Sequence, residues 1–161
     1  MEISAFAQGG ANYISRTTVR DTQGHSYMDV DYYDGLGYKV QHVEMNGSNG
    51  AGAGCVVTQI SYDNMRRDDA RVNLPYASTG SGFKTDAQQA QQLFYSGRYG
   101  QNGGYAYSEN VYDSSVEGRV RQVWNPGPAF RSAERSTEIE YRLNLTDDGV
   151  RPMVWTSAGI D

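Results

Sequence analysis

The stretch YMDVDYYDGLGYKVQHV, residues 27–43, decides how this chain folds. Two runs rich in Tyr and Val flank Asp34-Gly35-Leu36-Gly37. Aromatic and β-branched residues on either side of a Gly/Asp cluster predict a strand, a tight turn and a returning strand. The device recurs along the chain. Val56 to Tyr62 and Ala70 to Tyr76 flank Asp63-Asn64-Met65-Arg66, and Tyr105 to Asp113 pairs with Gly118 to Trp124. Ser136 to Leu145 alternates as a further strand, and Asp147-Asp148-Gly149 turns into another over Val150 to Trp155.

Aligned on their turns, these units form an internal repeat. Tyr33-Asp34, Tyr62-Asp63 and Tyr112-Asp113 each close a strand, and Lys39, Arg67 or Arg119 opens the return, with two extra residues in the third turn. The chemistry fits the spacing. An Asp carboxylate caps turn amides while a basic side chain comes back within reach of it. The Tyr ring lies on its neighbour and keeps its hydroxyl at a wet edge.

Composition agrees with a β-rich fold. Leu, Ile, Val and Phe make up only about a sixth of the 161 residues, but 13 Tyr supply buried area in their place. The length fits one domain over residues 1–161, with Gly47 to Gly54 as a flexible loop. One short helix is predicted near 86–95. Thr85 serves as N-cap with Gln88 three residues on, Ala87, Ala90, Leu93 and Phe94 share a face, and Ser96-Gly97 stops it. The expected class is therefore mainly β: antiparallel hairpin units with one short helix.

Several functions are set aside. No apolar run approaches the roughly 20 residues of a membrane span. The start, MEISAFA, lacks the basic and apolar regions of a signal peptide. A net charge of -5 without a basic stripe argues against nucleic acid. Cys55 alone makes neither a disulfide framework nor a zinc site and reads as a buried apolar residue. Asp29 to Val40 does not carry the ligand order of a helix–loop–helix calcium site, since Tyr33 stands fifth and Gly35 seventh. The Gly47–Gly54 loop lacks the Lys-Ser/Thr of a phosphate cradle, and neither Ser48 nor Ser81 sits on a nucleophile elbow. His25, His42 and Glu44 are the residues a metal site would draw on, but surface histidines explain them. No catalytic residue, metal or cofactor is assigned.

One region offers a binding face. Tyr95, Tyr99, Tyr105 and Tyr107 interleave with Gly97, Gly100, Gly103 and Gly104, and Tyr/Gly-rich surfaces give contact area at low entropic cost. A glycan or a cell-surface protein is the ligand class this suggests. The preferred reading is that Tyr105 and Tyr107 lie on one strand face and build the core.

The segment DYYDGLGYKVQ resembles the YD repeat of RHS proteins, usually Tyr-Asp, two residues, Gly-Arg. With LPYAS (74–78), FKTDAQQAQQLFY (83–95), YSENVYDSS (107–115) and GRVRQVWNPG (118–127), residues 12–144 resemble the domain of unknown function that precedes the repeat array in RHS proteins of Bacteroidota. Tyr38 stands where that pattern has Arg, and Arg66 where it has Gly. The resemblance implies a non-enzymatic structural module of a larger secreted or cell-surface protein, one part of a curled β-hairpin shell often associated with a polymorphic toxin. Its implied partners are neighbouring β-repeats or other copies of the chain.

Overall fold

The computed structural model describes residues 2–8, 11–23, 25–45, 54–143, 149, 155–156 and 159–160. It is mainly β. The strands are β1 (Glu2–Gln8), β2 (Ala11–Val19), β3 (Ser26–Tyr33), β4 (Lys39–Met45), β5 (Gly54–Gln59), β6 (Arg71–Asn73), β7 (Tyr76–Thr79), β8 (Tyr107–Tyr112), β9 (Val120–Trp124), β10 (Ser136–Glu138), β11 (Trp155–Thr156) and β12 (Gly159–Ile160). Among the described residues two α-helices interrupt them, α1 (Ala87–Tyr99) and α2 (Pro128–Ser132), and a 3-10 helix over Gly100–Tyr105 follows α1. A six-stranded sheet runs β1-β2-β3-β4-β5-β7, a four-stranded one β10-β9-β8-β6, and β11 pairs with β12. Among the described residues every pairing is antiparallel.

The first two strands were not legible as such in the sequence, whereas the Tyr27–Val43 hairpin is β3 and β4. The strand expected over Ala70–Tyr76 divides at Leu74-Pro75, because proline donates no ladder hydrogen bond. The part before it, β6, joins the four-stranded sheet, and the part after it, β7, returns to the six-stranded one. Of the strand expected over Ser136–Leu145, only Ser136–Glu138 is strand among the described residues, which end there at Leu143. The loop at 47–53 lies outside the described residues, and Gly54 already belongs to β5. The Asp147–Trp155 turn and strand also lie outside them, apart from Gly149 and Trp155.

Alternation in the large sheet sends Val30 and Tyr32 of β3, Val43 of β4, Cys55 and Val57 of β5 and Tyr76 of β7 to one buried face. Helix α1 covers that face with Ala87, Gln91 and Tyr95, spaced one turn apart. This corrects the expected stripe: Leu93 is exposed, and Gln91 is buried in its place. Gln91 Nε2 donates to the Leu74 and Ala106 carbonyls at 2.7 and 3.0 Å, so its burial leaves the amide satisfied. The helix also starts and ends later than expected. Asp86 is the N-cap residue, and Ser96 stays inside by bonding back to the Leu93 carbonyl. Gly97 points into open space, and the stop comes at Gly100 with φ 74°.

Candidate functional site: a ladder of turns

The three Tyr-Asp turns are built alike. Asp34 Oδ1 accepts the N–H groups of Leu36 and Tyr38, both at 2.9 Å. Asp63 Oδ1 accepts those of Met65 and Arg67 at 2.8 and 2.9 Å. Asp113 Oδ1 accepts those of Ser115 and Arg119 at 3.2 and 3.0 Å. Each Asp also donates its own N–H to the carbonyl of the residue opening the return, Tyr38, Arg67 or Arg119, which corrects the sequence alignment: Tyr38, not Lys39, is the structural counterpart of the two arginines. The two extra residues of the third turn are absorbed before Gly118 without altering this closure.

The residue before the return is left-handed in all three turns: Gly37 at φ 85°, Arg66 at 61° and Gly118 at 56°. Glycine occupies that conformation without steric cost, while a residue with a Cβ is strained by about 1–2 kcal/mol. Arg66 has a partial offset, since its guanidinium lies 4.8 Å from the centre of the Tyr38 ring.

The basic partners differ in what they reach. Arg67 pairs with its own Asp63, with Nε at 2.7 Å from Oδ2. Lys39 instead reaches Asp31 at 2.8 Å, and the Arg119 guanidinium approaches Glu117 at 3.6 Å. The Arg67 amide and then its guanidinium hold the Asp63 carboxyl below its usual range against some desolvation. The Ser115 hydroxyl, followed by the Arg119 amide, does the same for Asp113.

The turns then stack on one another by a shared rule: the residue opening each return packs on the Tyr of the next unit. Tyr38 meets Tyr62 edge-on at 5.3 Å between centroids. Arg67 lies 3.5 Å from the centre of the Tyr112 ring. The backbone follows the same rule. Ile60, two residues before Tyr62, donates to the Val40 carbonyl at 3.0 Å, and Asn110, two before Tyr112, donates to the Ala70 carbonyl at 3.1 Å. Strand pairing slips at matching places, between Tyr32 and Tyr33 and between Val111 and Tyr112. Tyr62 places its hydroxyl on the Lys39 carbonyl at 2.9 Å. The Tyr112 hydroxyl is buried without a well-formed hydrogen bond; burial first, then the nearby Asp69 carboxylate, push it up to about 12. The ladder thus brings Tyr62, Asp63, Arg67, Tyr112, Asp113 and Arg119 together along one edge, with Tyr33 and Asp34 at its start.

The four interleaved tyrosines divide into two pairs. Tyr95 is buried, donates to the Pro75 carbonyl at 2.6 Å and stacks on Tyr99 at 5.4 Å. Tyr105 and Tyr107 do not build the core as expected, since Tyr105 is exposed and precedes β8; they lie 6.3 Å apart beside the Arg131 guanidinium, which also sits 4.6 Å from the Trp124 ring and bonds Glu109. The α2 segment that supplies Arg131 carried no periodic signal in the sequence, because five residues are too few to show one.

On the opposite face of the large sheet, Asp29, Asp31 and His42 place ligand atoms within 4.8 Å of one another. Cations of the chain already hold this cluster: Arg16 lies 3.1 Å from Asp29, and Lys39 lies 2.8 Å from Asp31. Desolvation raises the Asp31 carboxyl, but the hydrogen bonds from Lys39 and His42 outweigh it and leave the group below its usual range. His25 pairs instead with Asp21 in the β2–β3 turn, so the two histidines serve different acids. Cys55 is buried with Sγ 3.0 Å from the Gly80 carbonyl. Among the described residues, no helix is long and apolar enough to cross a membrane.

No curated protein and no solved structure matches the chain. A family described as a domain of unknown function, DUF6443, matches residues 8–143, a span that contains the whole ladder. On that match, which covers most of its length, the chain belongs to the DUF6443 family.

Proposed function

We propose that this chain is a non-enzymatic structural module, one section of a β-hairpin scaffold of the RHS/YD-repeat kind in a secreted or cell-surface protein. The observation that carries this reading is the stacking rule. Three turns of unequal sequence and length share one hydrogen-bond closure, and each return residue packs on the tyrosine of the following unit. A device that repeats at every junction is a way to extend a ribbon. A reaction centre, by contrast, needs one unique constellation of groups around a reacting atom. The polar cluster at Asp29, Asp31 and His42 is neutralised from within, which suits a surface more than a catalytic or metal-binding role.

The test is a double-mutant cycle on Arg67 and Tyr112. The expected coupling is about 1 kcal/mol, the magnitude of a partly desolvated cation–π contact. Additive effects of Arg67→Ala and Tyr112→Ala on the urea midpoint would show that the rungs do not support one another, and the scaffold reading would fall.

A further inference from the structure

Among the described residues the chain passes between the two larger sheets three times: after Gln59 of β5, at Leu74-Pro75 between β6 and β7, and at Ala106 ahead of β8. A carbonyl at such a crossing leaves the ladder of one sheet before it joins the next, so when buried it must find another partner. Here a side chain meets every crossing. Asn73 Nδ2 donates to the Gln59 carbonyl at 2.9 Å, and the Tyr95 hydroxyl donates to the Pro75 carbonyl at 2.6 Å. Gln91 Nε2 serves two crossings at once, through the carbonyls of Leu74 and Ala106. All three donors are buried: Asn73 is 5% exposed, Gln91 2% and Tyr95 8%.

Apolar packing does not fix the angle between the sheets. Among the described residues, no strand residue of the four-stranded sheet belongs to the buried apolar cluster, which the six-stranded sheet, α1 and Ala106 supply. Apolar contact is also non-directional, whereas a hydrogen bond weakens steeply when it is bent. Gly103 adds a steric stop. A Cβ there would lie 2.5 Å from the Ser96 nitrogen and 2.6 Å from the Gln92 carbonyl oxygen, so the segment leading to Ala106 lies flush against α1.

We propose that the three crossings form a hinge between the two sheets, and that the Gln91 amide, seconded by Asn73 and Tyr95, locks it at one angle. Such a lock does not depend on the structural-module reading, since it concerns how the sheets are held and not what they carry. It bears on the ladder nonetheless. The second turn touches both sheets, with the Tyr62 hydroxyl on the Lys39 carbonyl and Arg67 on the Tyr112 ring, so the hinge angle sets how the ladder bends.

The experiment places nitroxide spin labels on the full chain at Ile14→Cys in β2 and Arg121→Cys in β9, both exposed positions, and reads the distance between them by double electron–electron resonance. Cys55 is buried and stays unlabelled. The chain with Gln91 is expected to give one narrow distance distribution. Gln91→Met, similar in length but unable to donate, is expected to widen it roughly twofold as the hinge is freed. Val57→Ala weakens the dry face without touching a crossing and is expected to leave the width unchanged. Should Gln91→Met not fold, Tyr95→Phe takes its place, because it removes one crossing bond and little else and must widen the distribution too. An unchanged width in the folded crossing variant, a broad distribution in the chain with Gln91, or equal widening by Val57→Ala overturns the proposal.

Discussion

The two larger sheets of this molecule are stabilised by different physics. In the six-stranded sheet, one face is dry: Val43 and Val57 are fully buried, and Tyr32 is 2% exposed beneath Phe83 and Tyr13. In the four-stranded sheet, no residue of β8, β9 or β10 is fully buried. Arginines lie on aromatic rings there instead, Arg71 on Tyr107 at 3.7 Å, Arg67 on Tyr112 at 3.5 Å and Arg131 on Trp124 at 4.6 Å. The contrast explains why this chain has so many arginines beside only Lys39 and Lys84. A guanidinium stacks flat on a ring and still donates to a carboxylate, as Arg131 does to Glu109, whereas an ammonium offers no plane to stack. A sheet held this way tolerates water on both faces, so it can be extended without first building a core.

The comparison can be broken most directly at its dry end. Tyr32→Ala is expected to cost about 3–5 kcal/mol, the range for truncating a buried aromatic. A urea midpoint shift worth under 1 kcal/mol would show that the α1-covered face is not the main source of stability. Tyr112→Ala in the arginine-stacked sheet should cost less, about 2 kcal/mol, because its ring is half-buried and part of its worth is the Arg67 contact. If the two substitutions cost the same, the division between dry and stacked sheets fails.

A smaller effect tests the turns. A Cβ on Gly118 would lie 3.1 Å from an Arg67 guanidinium nitrogen, at a φ of 56°. Gly118→Ala is expected to cost about 1–2 kcal/mol through the left-handed backbone and to loosen Arg67 from Tyr112. Arg66→Gly relieves similar strain but gives up the Tyr38 contact, so its net effect should fall within about 0.5 kcal/mol of zero by thermal melt.

The pH dependence carries the smallest expected signal. Asp63 and Asp113 have folded pKa values below the ordinary ~3.9 of an unfolded aspartate. Their contribution is therefore complete above about pH 4 and is lost as pH falls through the folded values. Asp63→Asn keeps an acceptor for the turn amides but removes the Arg67 ion pair. Its melting temperature should fall less steeply than that of the natural chain between about pH 5 and 2.5. Parallel curves would mean that the turn carboxylates are not what acid attacks.

Much of the ladder was legible because its parts are local. Asp63 reaches Met65 and Arg67 across four residues, and a Gly or a strained Arg66 before the return is written in the chain itself. The identity of the turn tyrosines and the strand on each side of them followed from alternation and turn chemistry alone. What stayed hidden depends on residues distant in sequence. The Tyr38–Tyr62 and Arg67–Tyr112 contacts span 24 and 45 positions, and no periodicity encodes which neighbour a ring will meet. The helix face was misread for the same reason. Leu93 looks apolar in isolation, but the carbonyls of Leu74 and Ala106 made Gln91 the residue to bury.

By itself, then, the sequence determined the class, the hairpins at Asp34 and Asp113 and the chemistry of each turn, since those are set by backbone sterics and hydrogen bonds over a few residues; the segments flanking Asp63 pair only in part as expected, because β5 lies between β4 and β7 while β6 joins β8. Tertiary structure alone decided that Pro75 would split a strand between two sheets and that each return residue would lie on the next tyrosine. It also laid Arg119, from the third return, on the Tyr141 ring. Those outcomes come from packing between segments tens of residues apart, where one side chain has many possible partners and only the folded geometry selects among them.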